Sequence, residues 1–362
     1  MLYAAWPHVS GDLASTRVDA AKFLDNLDGI CGAESREIWV AKWTSIGDAH
    51  SSLADLNTGE GAFDKAAEPW LCALTAFEVA RRLIGEGDPT GGDVAAKAEA
   101  AIQGFISLEC KVERVQIACS DESELLAYYL PGGGSDLCAP AVICVSEADE
   151  TAAALLARLL PVVTGRGISV LAVAHDDISS HRRCQSNILL SCCLDYLSVR
   201  PDADVTRIGI YGEGMSATLA TDFAASDRRV AAAVCDGGLW NWTRTLASVG
   251  WMTRAADGVD EAVVSTRRSR LMRQLKCPVL VVAGGRGPAS VSEAMKLQSD
   301  CAAARMDFEV VIPRISLTPV GEIENFVASD DRIFGWLERK LARPSAPPPL
   351  RAKKTGKPRR RP

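Results

Sequence analysis

Histidine is scarce in this sequence, and its distribution limits the chemistry that the chain can support. Only four histidines occur among 362 residues, and all precede the later strand-like segments: His8, His50, His175 and His181. From position 313 to the end of the sequence there is no histidine at all. A site that needs an imidazole base must therefore be built from the earlier part of the chain.

The chain also lacks a long apolar run. None approaches about 18 residues, the length that would indicate a membrane-spanning helix. The stretch from Met1 to Asp12 has neither the charged region nor the apolar region of a signal peptide. With 48% hydrophobic and 24% charged residues, the composition is typical of a globular protein. We therefore predict a cytoplasmic protein with no membrane partner.

The twelve cysteines include no C-x-x-C pair, which argues against a zinc or redox site. Cys144, Cys235 and Cys277 lie in or beside apolar runs, where free thiols are usually buried. The glycine-rich stretches at 132–134 and 284–287 lack the lysine and the helix start of a phosphate-binding loop. We predict reduced core thiols, no metal and no cofactor.

Positive charge is concentrated at the end of the chain. The formal net charge is −6, yet residues 344–362 carry seven lysines and arginines and no acidic residue. Such a proline- and arginine-rich segment cannot bury apolar surface, so we predict a disordered basic tail. A solvated tail is favoured over a nucleic-acid partner, because a charge run is more often simply solvated.

The rest of the chain divides into two parts with different sequence patterns. Residues 1–110 show helical periodicity, most clearly from Phe63 to Leu83, and predict a helical N-terminal segment. Residues 111–343 alternate short β-rich runs with helical stretches. The eight runs are Val115–Cys119, Leu125–Leu130, Ala141–Val145, Ile168–Ala174, Ile208–Tyr211, Val230–Cys235, Val279–Ala283 and Phe308–Ile312. This alternation predicts an α/β domain with an eight-stranded, mostly parallel sheet and an antiparallel hairpin at its edge.

The alternation is interrupted between the sixth and seventh strands. Residues 239–275 form an insertion that we interpret as a small cap over the sheet edge. Trp240 and Trp242 lie in this segment and could either line a ligand pocket or pack the cap. The sequence does not decide between these two roles.

A sharp strand-to-helix turn is predicted after the fifth strand, at Gly212-Glu213-Gly214-Met215-Ser216. In hydrolases with a G-x-S-x-G motif, this turn holds the nucleophilic serine between small neighbours. Here the serine position is occupied by Gly214, which supplies no attacking atom.

Several segments in this order resemble the branch of the α/β-hydrolases that includes FrsA, 2,6-dihydropseudooxynicotine hydrolase and related polyketide hydrolases. The matching segments are 66–80, 112–115, 140–144, 167–171, 228–238 and 277–282, within a similarity that spans about residues 45–342. The resemblance implies an α/β-hydrolase fold and a homodimer formed through the helical segments. It places the family serine at Gly214 and the family acid near Gly287, and it finds no histidine after the last strand. The implied triad is therefore degenerate.

Acidic residues gather where the predicted parallel strands end. Glu147, Asp149, Glu213 and Asp236 lie at carboxyl ends of strands, the edge at which open α/β sheets bind ligands. The backbone N–H of Met215, at a helix start, could meet a ligand oxygen there. We predict a catalytically degenerate protein that binds a small carbonyl-containing or cationic metabolite, although solvated loop acids would give the same pattern.

An enzyme of altered mechanism is the alternative. His175 is predicted to end the fourth strand and could meet Glu213 across the sheet edge, where the pair could transfer protons. With Asp236, these residues could support C–C bond hydrolysis, a lyase reaction or an isomerisation on a ketone or polyketide-like substrate. Ser216 and Cys235 are weaker candidates for a substitute nucleophile, because Ser216 lies inside the helix and Cys235 has no evident base.

Overall fold

The structure is a computed structural model that describes most of the chain. The described residues are 12–27, 33–85, 87–108, 112–119, 124–133, 138–148, 150–179, 183–237, 274–283, 291–318 and 321–343. The predicted cap except for residues 274 and 275, the loop of the family acid near Gly287 and the basic tail at 344–362 lie outside these residues. Asp149, Trp240 and Trp242 also lie outside them.

Four helices form the first part of the chain. They are α1 (Leu13–Asp25), α2 (Ala33–Gly59), α3 (Phe63–Arg82) and α4 (Thr90–Ser107). The side chain of Asp12 caps α1 by accepting a hydrogen bond from Ser15 N at 2.8 Å. Gly87, at φ 78°, lies in the turn before α4, in the segment where the sequence predicts that α3 has ended.

The sheet has the eight strands that the sequence predicts. They are β1 (Glu113–Ala118), β2 (Glu124–Leu130), β3 (Ala139–Val145), β4 (Ser169–Val173), β5 (Ala203–Glu213), β6 (Val230–Asp236), β7 (Val279–Val282) and β8 (Phe308–Val311). Their spatial order is β1-β2-β4-β3-β5-β6-β7-β8. β2 is antiparallel to both β1 and β4, and all later pairs are parallel. The eight-stranded, mostly parallel sheet is therefore confirmed.

Helices connect the parallel strands and cover both faces of the sheet. They are α5 (Ala152–Val163), α6 (His175–Ser179), α7 (Arg183–Ser198), α8 (Ser216–Ser226), α9 (Val291–Ala303) and α10 (Phe326–Lys340). α6 is a short helix that the sequence does not predict; it begins at His175, so this histidine starts a helix rather than ending a strand.

Two features of the strands differ from the sequence-based expectation. β5 begins at Ala203, earlier than the predicted Ile208, because polar residues hide its first half from an apolar pattern. A small hairpin, β9 (Ile315–Thr318) with β10 (Gly321–Glu324), forms a separate two-stranded sheet that the sequence does not predict. Its strands are only four residues long, too short for a clear alternation.

Two buried hydrophobic clusters lie on the two faces of the main sheet. One packs α7 and α8 against it through residues such as Leu190 and Phe223. The other joins Trp43 and Phe77 of the helical segment to Leu159 of α5, Val234 of β6 and Phe334 of α10. The helical segment therefore shares a core with the α/β part of the chain.

The described part of the chain holds no group of three or more histidine, cysteine, aspartate or glutamate side chains that could bind a metal ion. No helix there is both long and apolar enough to cross a membrane. Nine cysteines are described, all as free thiols, and seven of these are buried.

Candidate functional site

The predicted sharp turn is present at the end of β5. The strand ends at Glu213, Gly214 has a φ of 54°, and α8 begins at Ser216. Glycine enters this left-handed region without the penalty that other residues meet. A Cβ atom added at Gly212 would lie 2.2 Å from the carbonyl oxygen of Ser216, so the close approach of strand and helix also requires glycine there.

Glu147, from the loop after β3, covers Gly214. A Cβ atom built on Gly214 would lie 2.7 Å from Glu147 Oε1 and 3.0 Å from its Cγ and Cδ atoms. The space in which a side chain at position 214 would begin is therefore filled by a carboxylate. Glu147 itself is half-buried, at the carboxyl-end edge of the sheet.

His175 reaches the same edge from the start of α6. Its Nδ1 lies 2.6 Å from Ser216 Oγ, and its backbone N–H donates to Ser146 Oγ at 3.0 Å. Ser216 Oγ also lies 2.6 Å from the carbonyl oxygen of Ser146, to which it donates. The ends of β3, β4 and β5 thus bring Glu147, His175 and Gly214 to one edge of the sheet, as the parallel topology requires.

Glu213 and Asp236 are instead buried within the protein. Their exposed fractions are 1% and 0%. Arg158 of α5 donates to Glu213 Oε2, and its other terminal nitrogen donates to both carboxylate oxygens of Asp330 at 2.9 and 3.1 Å. The Tyr211 hydroxyl lies 3.1 Å from Glu213 Oε2 and 3.0 Å from Asp236 Oδ2. Because a phenol has one proton, it donates to only one of these carboxylates at a time.

Arg158 is the cation that pairs with the buried acids Glu213 and Asp330. Burial opposes its charge, but Glu213 and Asp330 outweigh burial and raise the pKa of its guanidinium well above the ordinary value. Glu150 lies just before α5, and its pKa is raised mainly by burial and further by the charge of Glu213. On α3, Arg81 and Arg82 overcome burial and hold the pKa of Glu78 well below its usual range.

The predicted site residues therefore separate into two groups. Glu147, His175 and the turn at Gly214 and Met215 lie at the carboxyl-end edge of the sheet, whereas Glu213 and Asp236 belong to the buried charge cluster around Arg158. The position of Asp236 at the end of β6 is nevertheless tied to the turn, because Gly214 N donates to its carbonyl oxygen at 2.8 Å. A catalytic role for Glu213 and Asp236 stays a prediction.

Arg158, Tyr211 and Asp330 were not predicted from the sequence as members of a site. One signal for Arg158 was available, because it is the only charged residue in the otherwise apolar α5. A charged residue in a helix that is otherwise buried must find a partner in the core. The sequence alone does not identify that partner, because Glu213 and Asp330 lie 55 and 172 positions away along the chain.

Comparison with solved structures establishes the fold. The structure of 2,6-dihydroxy-pseudo-oxynicotine hydrolase matches this chain with a TM-score of 0.56 and 17% identity, covering 89% of this chain and 95% of its own. An esterase from Pyrococcus furiosus matches with a TM-score of 0.48 and 15% identity, covering 66% and 94%. An acylaminoacyl peptidase from Pyrococcus horikoshii matches with a TM-score of 0.49 and 14% identity, covering 67% and 44%.

No family model matches the chain, and the search of curated proteins found no match. The chain has an α/β-hydrolase fold, as its resemblance in sequence implies. Because the identities are low, the likeness concerns the fold and does not transfer an activity.

Proposed function

We propose that this α/β-hydrolase-fold protein is a non-hydrolytic binding protein that takes a small cationic or hydrogen-bond-donating metabolite, including a carbonyl compound with such a group. The ligand would bind at the edge of the sheet where β3, β4 and β5 end. The observation that carries the proposal is the carboxylate of Glu147, whose Oε1 lies 2.7 Å from the place of a Cβ atom at Gly214.

Among the described residues around the turn, no side chain is placed to act as a nucleophile, and this supports the proposal. Gly214 has no side chain, and the hydroxyl of Ser216 is engaged with the carbonyl oxygen of Ser146. The thiol of Cys235 is buried, and burial raises its pKa to about 12, which keeps it protonated and unreactive at neutral pH. In serine proteases, removal of the triad leaves only about 10³- to 10⁴-fold acceleration over water.

The charge at the turn also opposes ester or amide hydrolysis. Acyl transfer builds negative charge on the substrate oxygen, and hydrolases stabilise it with hydrogen-bond donors beside the nucleophile. Glu147 places a carboxylate at that location instead, and a like charge would raise the energy of an oxyanion. The same carboxylate would attract an ammonium group or accept a hydrogen bond from a hydroxyl group.

The altered-mechanism enzyme has less support. It would need Glu213 and Asp236 at the substrate, yet both carboxylates are buried and bonded to Arg158 or Tyr211. Of His175, Glu213 and Asp236, only His175 lies at the same edge of the sheet as Glu147.

The homodimer that the resemblance implies is also part of the proposal. Three large apolar side chains of α2 are exposed: Ile38 at 65%, Leu53 at 46% and Leu56 at 59%. Their exposure would suit a contact between helical segments. Sedimentation of the purified chain as a monomer at all concentrations would contradict this part.

A ligand screen tests the binding proposal. Small amines, amino-ketones and polyols are titrated into the wild-type chain and into Glu147→Gln, with Glu124→Gln as a control because Glu124 is an exposed acid at the start of β2. A ligand bound through a charge-assisted hydrogen bond should lose about ten- to hundredfold in affinity in Glu147→Gln and keep its affinity in the control.

The same proteins are assayed for hydrolysis of a p-nitrophenyl ester. We expect no turnover above that of a non-enzymatic protein control. Hydrolysis by the wild-type chain that disappears in His175→Gln would overturn the non-hydrolytic assignment. A screen in which no cationic or donor molecule binds would overturn the ligand assignment.

A further inference from the structure

Ser216 and His175 form a contact that resembles the serine–histidine pair of a hydrolase. The Oγ and Nδ1 atoms are 2.6 Å apart, and the serine lies two residues after the turn at Gly214. In a catalytic pair, the imidazole nitrogen accepts the hydroxyl proton and so activates the oxygen. The direction of the hydrogen bond therefore decides what this pair can do.

The second contact of Ser216 fixes that direction. Its Oγ lies 2.6 Å from the carbonyl oxygen of Ser146, and a carbonyl oxygen can only accept a hydrogen bond. Two oxygen atoms approach to this distance when a proton lies between them, since typical O–H···O distances are about 2.7 Å. The one proton of the Ser216 hydroxyl is thus directed to Ser146, and Oγ must accept from His175 Nδ1–H.

The backbone around this chain of hydrogen bonds is held by Ser146. The Ser146 hydroxyl accepts from the backbone N–H of His175 at 3.0 Å and lies 2.6 Å from the carbonyl oxygen of Glu150, to which it donates. The start of α6 and the loop after β3 are therefore tied together, and the imidazole is presented to Ser216 in one orientation. Ser216 itself is completely buried, so water does not compete for its hydroxyl.

We propose that Ser216 is a positioning residue that fixes neutral His175 as the Nδ1–H tautomer and thereby makes Nε2 the proton-accepting atom of the ring. Ser216 is then a hydrogen-bond acceptor toward His175, not a nucleophile activated by it. Any group that meets Nε2 of the neutral ring must donate a hydrogen bond. For the class of ligand, this inference rests on the proposed function. A hydrogen-bond acceptor at His175, together with the carboxylate of Glu147, would suit an ammonium group or a pair of hydroxyls.

The tautomer can be measured without any ligand. In ¹⁵N spectra of histidine-labelled protein at a pH where the ring is neutral, we expect His175 Nδ1 to resonate as a protonated nitrogen and Nε2 as an unprotonated one. His175→Gln assigns the signals among the four histidines. A wild-type spectrum with Nε2 protonated and Nδ1 bare would overturn the proposal.

Ser216→Ala then tests whether the serine sets the tautomer. The variant should lose the exclusive Nδ1–H form and show a mixture or the Nε2–H form. Thr221→Val is the matched control, because Thr221 also carries a buried hydroxyl of α8 and donates to a backbone carbonyl, that of Ala217, at 2.7 Å. An unchanged His175 tautomer in folded Ser216→Ala would contradict a positioning role.

The ligand assignment is tested separately. If the screen finds a donor ligand, its affinity should fall about two- to tenfold in Ser216→Ala and stay unchanged in Thr221→Val. A correct tautomer with no ligand found would leave the positioning role standing and overturn only the proposed function. A ligand whose affinity is equal in both variants would contradict the part of the inference that assigns Nε2 to its recognition.

Discussion

At the residue scale, Gly214 combines a backbone conformation and a neighbour that both disfavour a side chain. Its φ of 54° lies in the left-handed region, where other residues carry a penalty of about 1 kcal/mol or more. The carboxylate of Glu147 fills the space in which Cβ would lie. Position 214 therefore has two independent physical reasons to remain glycine, neither of which requires catalysis.

Gly214→Ser should lower the free energy of unfolding by about 1 kcal/mol or more, without creating esterase activity. The loss has two sources: the strained φ, and the displacement of Glu147 from the space above the turn. Urea denaturation of both proteins measures the difference, provided that the slope of the transition is unchanged.

A matched control separates the two sources. Gly165 has a similar φ of 84°, and a Cβ atom there would meet nothing within 4 Å. Gly165→Ser should therefore show the backbone penalty alone, and Gly214→Ser should cost more than this. In a Glu147→Ala background, the cost of Gly214→Ser should approach that of Gly165→Ser. Equal costs in all three comparisons would mean that Glu147 does not press on position 214.

At the scale of elements, a buried charge cluster connects α5 both to β5 and to α10. Arg158 of α5 is paired with Glu213 of β5 and with Asp330 of α10, and the exposed fraction of each of these side chains is 1%. Removal of one member of such a pair leaves an uncompensated charge in the core. The cluster therefore fixes how α5, α10 and the end of β5 pack, even though it lies at the end of a strand where ligands usually bind.

Arg158→Met should destabilise the protein by about 3–5 kcal/mol at neutral pH, because Glu213 and Asp330 would both lose their buried partner. The loss should shrink as the pH falls, because burial without a cationic partner favours the neutral form of a carboxylic acid. Thermal or urea unfolding at several pH values measures both effects.

The same substitution at Arg229 serves as the control. Arg229 pairs with Asp195 and Asp227, but its side chain is 46% exposed, so its ion pairs are largely screened by water. Arg229→Met should cost only about 0–1 kcal/mol and should depend little on pH. A loss in Arg158→Met no larger than that in Arg229→Met would contradict the structural role of the buried cluster.

At the scale of the whole molecule, the helical segment and the α/β part do not have separate cores. Trp43 and Phe77 belong to the same buried cluster as Val234 of β6 and Phe334 of α10. The N-terminal helices therefore cover one face of the sheet together with α5 and α10. The sequence pattern changes near residue 110, but the residues on either side of that point share one buried core.

We expect the chain to unfold in a single transition, with coincident curves from far-ultraviolet circular dichroism and tryptophan fluorescence. A chain that begins at residue 111 should fail to fold cooperatively, because its sheet would expose the apolar face that the helices cover. Deletion of residues 344–362 is the control and should leave the midpoint unchanged, since the sequence predicts no core residue there. A stable, cooperative fragment from residue 111 onward would contradict a shared core.

Much of the architecture follows from the sequence because strand and helix periods are local properties. All eight strands of the sheet were predicted within a few residues, except for the polar first half of β5. The turn and its glycine were also predicted, since Gly212 and Gly214 mark it directly. The short hairpin of β9 and β10 was not, because four-residue strands carry too little pattern.

The direction of side chains at the strand ends depended on the tertiary structure. Glu213 and Asp236 end adjacent strands, which predicted a shared pocket. However, Glu213 lies two residues after Tyr211, and Asp236 two residues after Val234. Because residues two apart share a face of a strand, both acids lie on the face that α5 and α10 cover. Sequence periodicity gives which residues share a face; it does not tell which face is covered, or by what.

The sequence by itself determined that position 214 has no nucleophile and that no histidine follows the last strand. Only the tertiary structure decided that Glu147 lies over Gly214, that Ser216 donates to Ser146 and contacts His175, and that Arg158 neutralises buried acids. The physical reason is that the identity of a residue fixes its chemistry, whereas its partner is set by strand order. Ser216 and His175 are 41 positions apart along the chain and become hydrogen-bonded neighbours only after β3, β4 and β5 pair in parallel.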